Sequence, residues 1–113
     1  MTIENQITTL VENIKEDYLR WTSRNYTKEL SEINETMIAQ FNEKISWNEG
    51  NKYIKIITNG SVWGFVVAVN NDKKFKYGDI LKAAGWNAPA RNAARGNVFE
   101  DYDIQWTGPN YLR

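Results

Sequence analysis

The feature that most constrains the fold is the pair Asn59-Gly60, which lies between two runs of β-forming residues, 53–57 and 62–69. Asn-Gly at such a place is typical of a two-residue type I′ turn, because both turn residues take positive φ. The sequence therefore predicts an antiparallel hairpin. The second run is apolar on both faces, so we expect a central strand that is covered by helix on at least one side.

The length of the turn also predicts the register of the hairpin. A loop of only Asn59 and Gly60 places three pairs of residues opposite each other: Ile54 and Phe65, Lys55 and Gly64, and Ile56 and Trp63. After a second turn at residues 70–72, we expect a third strand at residues 75–82, which Gly78 interrupts as a bulge. A short final strand is expected at residues 103–106, limited by Pro109.

Two apolar stripes at helical spacing precede the hairpin. The first consists of Ile3, Ile7, Leu10, Val11, Ile14 and Tyr18, and Trp21 extends it. The second consists of Tyr26, Leu30, Ile33, Met37, Phe41 and Ile45. They predict one helix capped by Thr2 and another at about residues 28–45 capped by Thr27, with a break at Asn25. One long bent helix is the alternative. We interpret both stripes as core, with a coiled coil to a partner as the other interpretation.

The predicted architecture is α+β: two N-terminal helices packed on a three- or four-stranded antiparallel sheet, with a short Ala-rich helix. That short helix is expected at residues 88–95, capped by Asn87 and ended by Gly96. A length of 113 residues fits a single domain, residues 1–113. We divide it into a helical half, residues 1–47, and a β-rich half, residues 52–112.

The composition excludes several kinds of catalytic site. The chain contains no Cys and no His, which excludes disulfides, thiol nucleophiles, thiolate zinc sites and histidine general bases. No glycine-rich phosphate loop is present. Glu100-Asp101-x-Asp103 is the one carboxylate cluster, and a metal-dependent nuclease built on it is the least favoured hypothesis. We expect no catalytic residue, no metal and no cofactor, and we predict a non-enzymatic, cytoplasmic protein without signal peptide or membrane span.

The charges point to a binding segment. Residues 1–50 carry five Lys or Arg against nine Asp or Glu, and residues 51–113 carry nine against five. We predict that Lys82, Arg91 and Arg95 form an anion clamp, with Trp86 as a stacking platform beside Arg91, for nucleic acid or a phosphorylated ligand. In the competing interpretation the two arginines brace the acidic helices and Trp86 belongs to the core. Binding of a protein partner is the third.

Residues 78–99 carry a recognisable motif, which reads GDILKAAGWNAPARNAARGNVF. It follows the runs KYIKI at residues 52–56 and SVWGFV at 61–66, and precedes WTGPNYL at 106–112. In this order the segments resemble small uncharacterised proteins of tailed bacteriophages, apart from Gly85, where that pattern has Ser. The resemblance implies phage origin, action in the host cytoplasm and no established activity. A protein–protein interaction or virion-assembly module is the alternative function, and the oligomeric state is open.

Overall fold

A computed structural model describes residues 3–23, 31–58, 60–100 and 102–109. Within these ranges the chain forms two helices and one four-stranded antiparallel sheet of order β1-β2-β3-β4, which confirms the predicted α+β class. The elements are α1 (Ile3–Thr22), α2 (Glu32–Lys44), β1 (Ser46–Glu49), β2 (Tyr53–Thr58), β3 (Ser61–Val67) and β4 (Ile80–Lys82). Neither helix of the described chain is long and apolar enough to cross a bilayer.

Helix α1 confirms the first apolar stripe from Ile7 to Tyr18, but its extension to Trp21 is wrong, because Trp21 is 59% exposed. The buried residues of α1 include Ile7, Leu10, Val11, Ile14 and Tyr18. Helix α2 begins at Glu32, later than predicted, because Ser31 is extended (φ −77°, ψ 165°) and its hydroxyl accepts the backbone N–H of Asn34. Ser31 is therefore the N-cap. The predicted caps Thr2 and Thr27 and the predicted break at Asn25 lie outside the described residues.

The second stripe is core only in part. In α2, Phe41 is buried, whereas Ile33 is 74% exposed and Met37 is 40% exposed. Ile45, directly after the helix, is buried again. The prediction that the whole stripe packs inside is therefore wrong for Ile33 and Met37. The C-terminal half of α2 contacts the sheet, and its N-terminal half presents apolar side chains to solvent.

The β2–β3 hairpin forms where it was predicted, but its register holds only beside the turn. Gly60 has φ 84°, as a type I′ turn requires, and Asn59 lies outside the described residues. The register shifts between Ile56 and Ile57, so that Ile56 pairs with Gly64. The other predicted pairs are wrong as well: Ile54 pairs with Val66, and Lys55 pairs with Phe65. Trp63 is the extra residue of a bulge on β3.

The bulge follows from the packing of Trp63. Its indole is buried in the core between helices and sheet, and its Nε1–H donates to the carbonyl of Gln105 at 2.8 Å. Turn chemistry specifies only the pairs next to the turn, whereas the bulged residue Trp63 bonds to a residue 42 positions away. Sequence alternation therefore could not reveal the bulge.

Other strand predictions need correction. Strand β1, which pairs with β2 from Ser46 to Glu49, directly follows the predicted end of the second helix, where no strand was predicted. The predicted third strand is reduced to Ile80–Lys82, since residues 72–78 form turns and irregular chain. Residues 103–106 form no strand, and only an isolated bridge joins Gln105 to Gly108. The sheet thus gains its fourth strand before the hairpin rather than after it.

The predicted Ala-rich helix at residues 88–95 is wrong. These residues instead run along the outer edge of β4, where the N–H of Ala90 donates to the carbonyl of Lys82 and that of Arg95 to the carbonyl of Ile80. Strand β4 needs partners on that edge, because buried backbone groups must be paired. Asn87 therefore caps no helix. Gly96 has φ 143° but ends none.

The sheet has a core on each face. Between helices and sheet lie residues that include Ile7, Leu10, Ile14, Phe41, Ile56, Trp63, Val66 and Ile80. On the opposite face a smaller core consists of Phe65, Val67, Phe75 and Leu81. We call this opposite face the second face of the sheet. It is covered by the irregular chain after β3 rather than by a helix, and it carries the candidate site.

A closing segment, residues 102–109, ties the end of the described chain to α1. The backbone N–H of Trp106 donates to the Asp17 carboxylate at 2.7 Å, and the Asn13 side-chain amide donates to the Tyr102 hydroxyl at 2.6 Å. Burial raises the pKa of Tyr102. The segment therefore completes the helical side of the core.

Candidate functional site

The four predicted site residues do not converge. Lys82 alternates with Leu81 along β4 and so belongs to the same side as Ile80, which packs in the helix-side core. Arg95 is buried, at 7% exposure, and its guanidinium contacts include the carbonyl of Pro109. Since residues 88–95 are not helical, Arg91 and Arg95 do not share a helical face. The clamp geometry predicted from their spacing is wrong.

Trp86 is displayed at the tip of a tight turn. Residues Ala83 and Pro89 form an isolated bridge, and the N–H groups of Ala84 and Gly85 both donate to the carbonyl of Ala88, at 2.9 and 3.1 Å. The indole of Trp86 is 53% exposed. The alternative in which Trp86 is a core residue is therefore wrong. The turn fixes the backbone on both sides of the ring and leaves the ring open to solvent.

Lys55 of β2 takes the place beside Trp86 that was predicted for Arg91. Its Nζ lies 5.1 Å from the Trp86 ring centroid and donates to Oδ1 of Asn87 at 2.8 Å. Lys55 is paired with Phe65, so its side chain belongs to the second face. Arg91 lies instead over the ring of Phe75, 4.9 Å from the centroid. An ammonium held beside an indole provides a charge and a stacking surface together.

Arg91 is held by a carboxylate of its own half of the chain. Its Nη2 donates to both carboxylate oxygens of Asp72 at 3.0 Å, and its Nη1 donates to the hydroxyl of Tyr53. Lys52 also contacts Asp72, at 3.1 Å. The prediction that Arg91 braces the acidic helices therefore named the wrong partner. One guanidinium nitrogen thus bonds both carboxylate oxygens, which is a charge-assisted contact that holds the two side chains together.

Asp72 organises the loop that follows β3. The backbone N–H groups of Lys74 and Phe75 donate to its Oδ1 at 2.8 and 2.9 Å, and its side chain is 1% exposed. These backbone bonds foremost, and then Lys52 and Arg91, hold the pKa of Asp72 well below its ordinary value. The same pairing raises the pKa of Arg91. Asp72 is thus a buried anchor whose negative charge is already matched.

Together these residues form one surface, which we call the basic-aromatic face. It consists of Lys52, Tyr53, Lys55, Lys74, Trp86 and Arg91. Among these side chains, those of Lys52 and Arg91 contact the carboxylate of Asp72, whose side chain is buried. Exposed Glu49 lies in the pocket that Lys52, Tyr53 and Lys55 line, so the surface has an excess of positive charge, rather than positive charge alone, around one open indole ring. Such a surface favours an anion that also carries a planar group.

Comparison with known proteins places the chain in a family. Residues 1–110 match DUF7717, a family of unknown function. The chain belongs to the DUF7717 family. No curated protein and no solved structure matches it. Because membership in DUF7717 carries no established activity, the function has to be argued from the geometry of the molecule.

Sequence reasoning missed the residues of the DUF7717 chain that come from β2. Tyr53 and Lys55 alternate with the buried Ile54 and Ile56, and this alternation places both on the second face. The same alternation in the sequence could have identified Tyr53 and Lys55 as residues of this face. Asp72 was identified only as part of a turn. The turn signal gave no indication that its carboxylate joins β2 to the segment around Arg91.

Within the described residues, the carboxylate cluster near residue 100 forms no metal-binding group. Glu100 lies 3.1 Å from Lys76, in an exposed ion pair. Asp101 lies outside the described residues. No group of three or more potential metal ligands occurs within the described ranges.

Proposed function

We propose that this DUF7717 protein is a non-enzymatic accessory protein that binds single-stranded nucleic acid on its basic-aromatic face. The observation that supports the proposal best is the half-exposed ring of Trp86 beside the ammonium of Lys55. An unpaired base offers a flat surface to an indole, whereas a base within a duplex does not. The motif in residues 78–99 supports a phage origin and action in the host cytoplasm.

Each residue of the face has a distinct part in the proposed complex. Trp86 stacks on a base, and Lys55, fixed by Asn87, contacts the adjacent phosphate. Lys74 extends the positive surface along the strand. Lys52 does so as well, because it shares Asp72 with Arg91 and one carboxylate cannot neutralise both cations. Arg91 is engaged by Asp72 and Tyr53, so its part is to hold the loop in place.

The charge of the chain limits the expected affinity. The formal net charge is zero, so long-range attraction is weak and local contacts dominate. Three phosphate contacts, by Lys52, Lys55 and Lys74, correspond to a slope of about −2 in a plot of log K against log salt for a single strand. We therefore expect weak, salt-sensitive binding.

Fluorescence anisotropy with a labelled oligothymidylate tests the proposal, with the same strand in a duplex for comparison. At low salt we expect the single strand to bind better than the duplex. Trp86→Ala should weaken binding about fivefold to 150-fold, which corresponds to loss of one base–aromatic stack. Because Trp86 is exposed at the tip of a turn, the variant should fold normally.

Trp21→Ala is the matched control, because Trp21 is 59% exposed but lies on α1. It should leave oligonucleotide binding unchanged. Lys74→Gln should make the slope of log K against log salt shallower by the amount that corresponds to about one phosphate contact. Absence of binding at low salt, or equal losses in Trp86→Ala and Trp21→Ala, would refute the proposal.

A second candidate is a protein–protein interaction module. The observation that favours it is the exposure of Ile33 and Met37 on α2, where a helix ordinarily buries its apolar stripe. Its contact surface lies on the helices, away from the basic-aromatic face. Sedimentation of the purified protein, alone and with lysate from infected cells, decides between self-association, a retained partner and neither.

A further inference from the structure

A second concave site lies on the helical side of the sheet, away from the basic-aromatic face. It is a cleft of about 510 Å³ between α2, the turn end of the β2–β3 hairpin and the closing segment. Its described lining includes Tyr18, Phe41, Trp63 and Trp106 as aromatic walls, together with Met37 and Lys44 of α2. The volume falls within the range of small-molecule sites, about 300–1,000 Å³.

The aromatic walls are fixed before any ligand arrives. The rings of Tyr18 and Phe41 are stacked, with centroids 4.2 Å apart and an interplanar angle of 13°. Trp106 meets Tyr18 edge-on at 4.9 Å and 79°. The hydrogen bond to Gln105 fixes the indole of Trp63. Tyr18, Phe41 and Trp63 are buried, so the floor of the cleft is rigid and suited to a flat ring.

The polar groups give the cleft a positive character. Lys44, the last residue of α2, is the charged side chain among the described lining residues, and no ion pair of the described chain involves it. The hydroxyl of Tyr18 has no hydrogen-bonding partner among the described residues, and it is not a fully enclosed polar atom. Tyr18 itself is a lining residue of the cleft. An anionic group would find the ammonium of Lys44 there.

We infer that this cleft binds a small planar anion, namely an aromatic ring that carries one carboxylate, sulfonate or phosphate group. The ring lies against Trp106 and the Tyr18–Phe41 stack, and the anionic group points to Lys44. A neutral ring makes the same apolar contacts without the charge interaction. The inference is independent of the proposed function, because none of its residues belongs to the basic-aromatic face.

Titration of ¹⁵N-labelled protein with naphthalene-2-sulfonate tests the inference, with 2-naphthol as the neutral counterpart. The readout is the indole N–H resonances, assigned with single Trp→Phe variants. We expect saturable shifts at Trp63 and Trp106 and none at Trp86. Lys44→Met should weaken sulfonate binding about fivefold and leave binding of 2-naphthol unchanged.

Lys73→Met is the matched control, since Lys73 is exposed and does not line the cleft, and it should bind as the unmodified protein does. Met37→Glu, an exposed substitution at the rim, should weaken sulfonate binding through a new negative charge. Three results would each overturn the inference. Lys44→Met could bind the sulfonate with the same affinity as the unmodified protein, or the resonance shifts could centre on Trp86. Binding could also fail to saturate below about 10 mM, the weak end for a ligand of this size. Oligonucleotide binding lost in Trp86→Ala but retained in Lys44→Met would show that the two sites are separate.

Discussion

Gly64→Ala is the substitution for which the structure gives the sharpest expectation. Gly64 lies in β3 between Ile56 of β2 and Lys82 of β4. A Cβ at this position would stand 2.8 Å from the backbone carbonyl oxygen of Leu81 and 3.2 Å from Cγ of Pro109. The first distance is shorter than real Cβ contacts reach, and the obstacle is backbone, which cannot rotate away. The methyl group therefore has to displace β4 or the closing segment.

The magnitude follows from the kind of collision. Overpacking of a core by one methyl group costs about 1–3 kcal/mol. Replacing Gly by Ala also reduces the entropy of the unfolded chain, which offsets about 0.4–1 kcal/mol where the backbone accepts Ala. The net loss in free energy of unfolding should be about 1–2 kcal/mol. For a domain of this size that lowers the Tm by about 4–8 °C.

Urea and thermal unfolding followed by circular dichroism provide the assay, and Gly85→Ala provides the control. Gly85 has no positive φ, and nothing lies within 4 Å of the position its Cβ would occupy. The same substitution there should change the free energy of unfolding by no more than about 0.5 kcal/mol, or increase it slightly. If Gly64→Ala proves as stable as Gly85→Ala, the close approach of β3 to Leu81 is wrong.

Two further predictions concern the buried polar contacts. Because the pKa of Asp72 is lowered in the folded protein, its ionised form stabilises the fold above the ordinary pKa of 3.8, and this contribution is lost as the pH falls below that value toward the lowered one. Urea unfolding measures the difference in free energy of unfolding between the unmodified protein and Asp72→Asn. This difference should be constant from about pH 7 to 5 and shrink below about pH 4. A difference that stays constant down to about pH 3 would contradict the prediction. Trp63→Phe removes the indole N–H that donates to the Gln105 carbonyl. It should lower the free energy of unfolding by about 1–3 kcal/mol in the same assay. An unchanged urea midpoint would show that this bond does not hold the closing segment.

The parts of the fold that the sequence predicted are those that depend on neighbours in the chain. The stripe of α1 repeats at helical spacing, and Gly60 takes the positive φ that its turn requires. Strand β1 was missed because Ser46–Glu49 is a short, mostly exposed edge strand without alternation of apolar residues. Local pattern therefore identified the elements with strong periodicity and missed the edge.

The segment at residues 88–95 shows how tertiary demand overrides local propensity. Its alanines and its Asn87-x-Pro89 start favour a helix. Strand β4 nevertheless needs hydrogen-bonding partners on its outer edge, and Ala90 and Arg95 provide them. A preference of a few tenths of a kcal/mol per residue cannot offset unpaired backbone groups at a buried edge.

Of the four residues predicted for the candidate site, Trp86 and Arg91 lie on the basic-aromatic face, whereas Lys82 and Arg95 do not. Exposure of Trp86 agrees with a stacking platform. The cation beside it is Lys55, however, 32 residues from the Asn87 side chain that holds it, and the partner of Arg91 is Asp72, 19 residues away. Such pairs depend on how the chain crosses the second face of the sheet, which composition and spacing do not specify.

The bonds that join the closing segment to α1 bear on how the protein is made. Asp17 and Trp106 are separated by 89 positions, as are Asn13 and Tyr102. During synthesis the early helices therefore exist for most of the time without the indole that shields the Tyr18–Phe41 stack. Contacts this distant slow folding, since the intervening loop must close first. The partly made chain thus exposes aromatic surface until residues 102–109 are available, so versions truncated before this segment should aggregate more readily during expression.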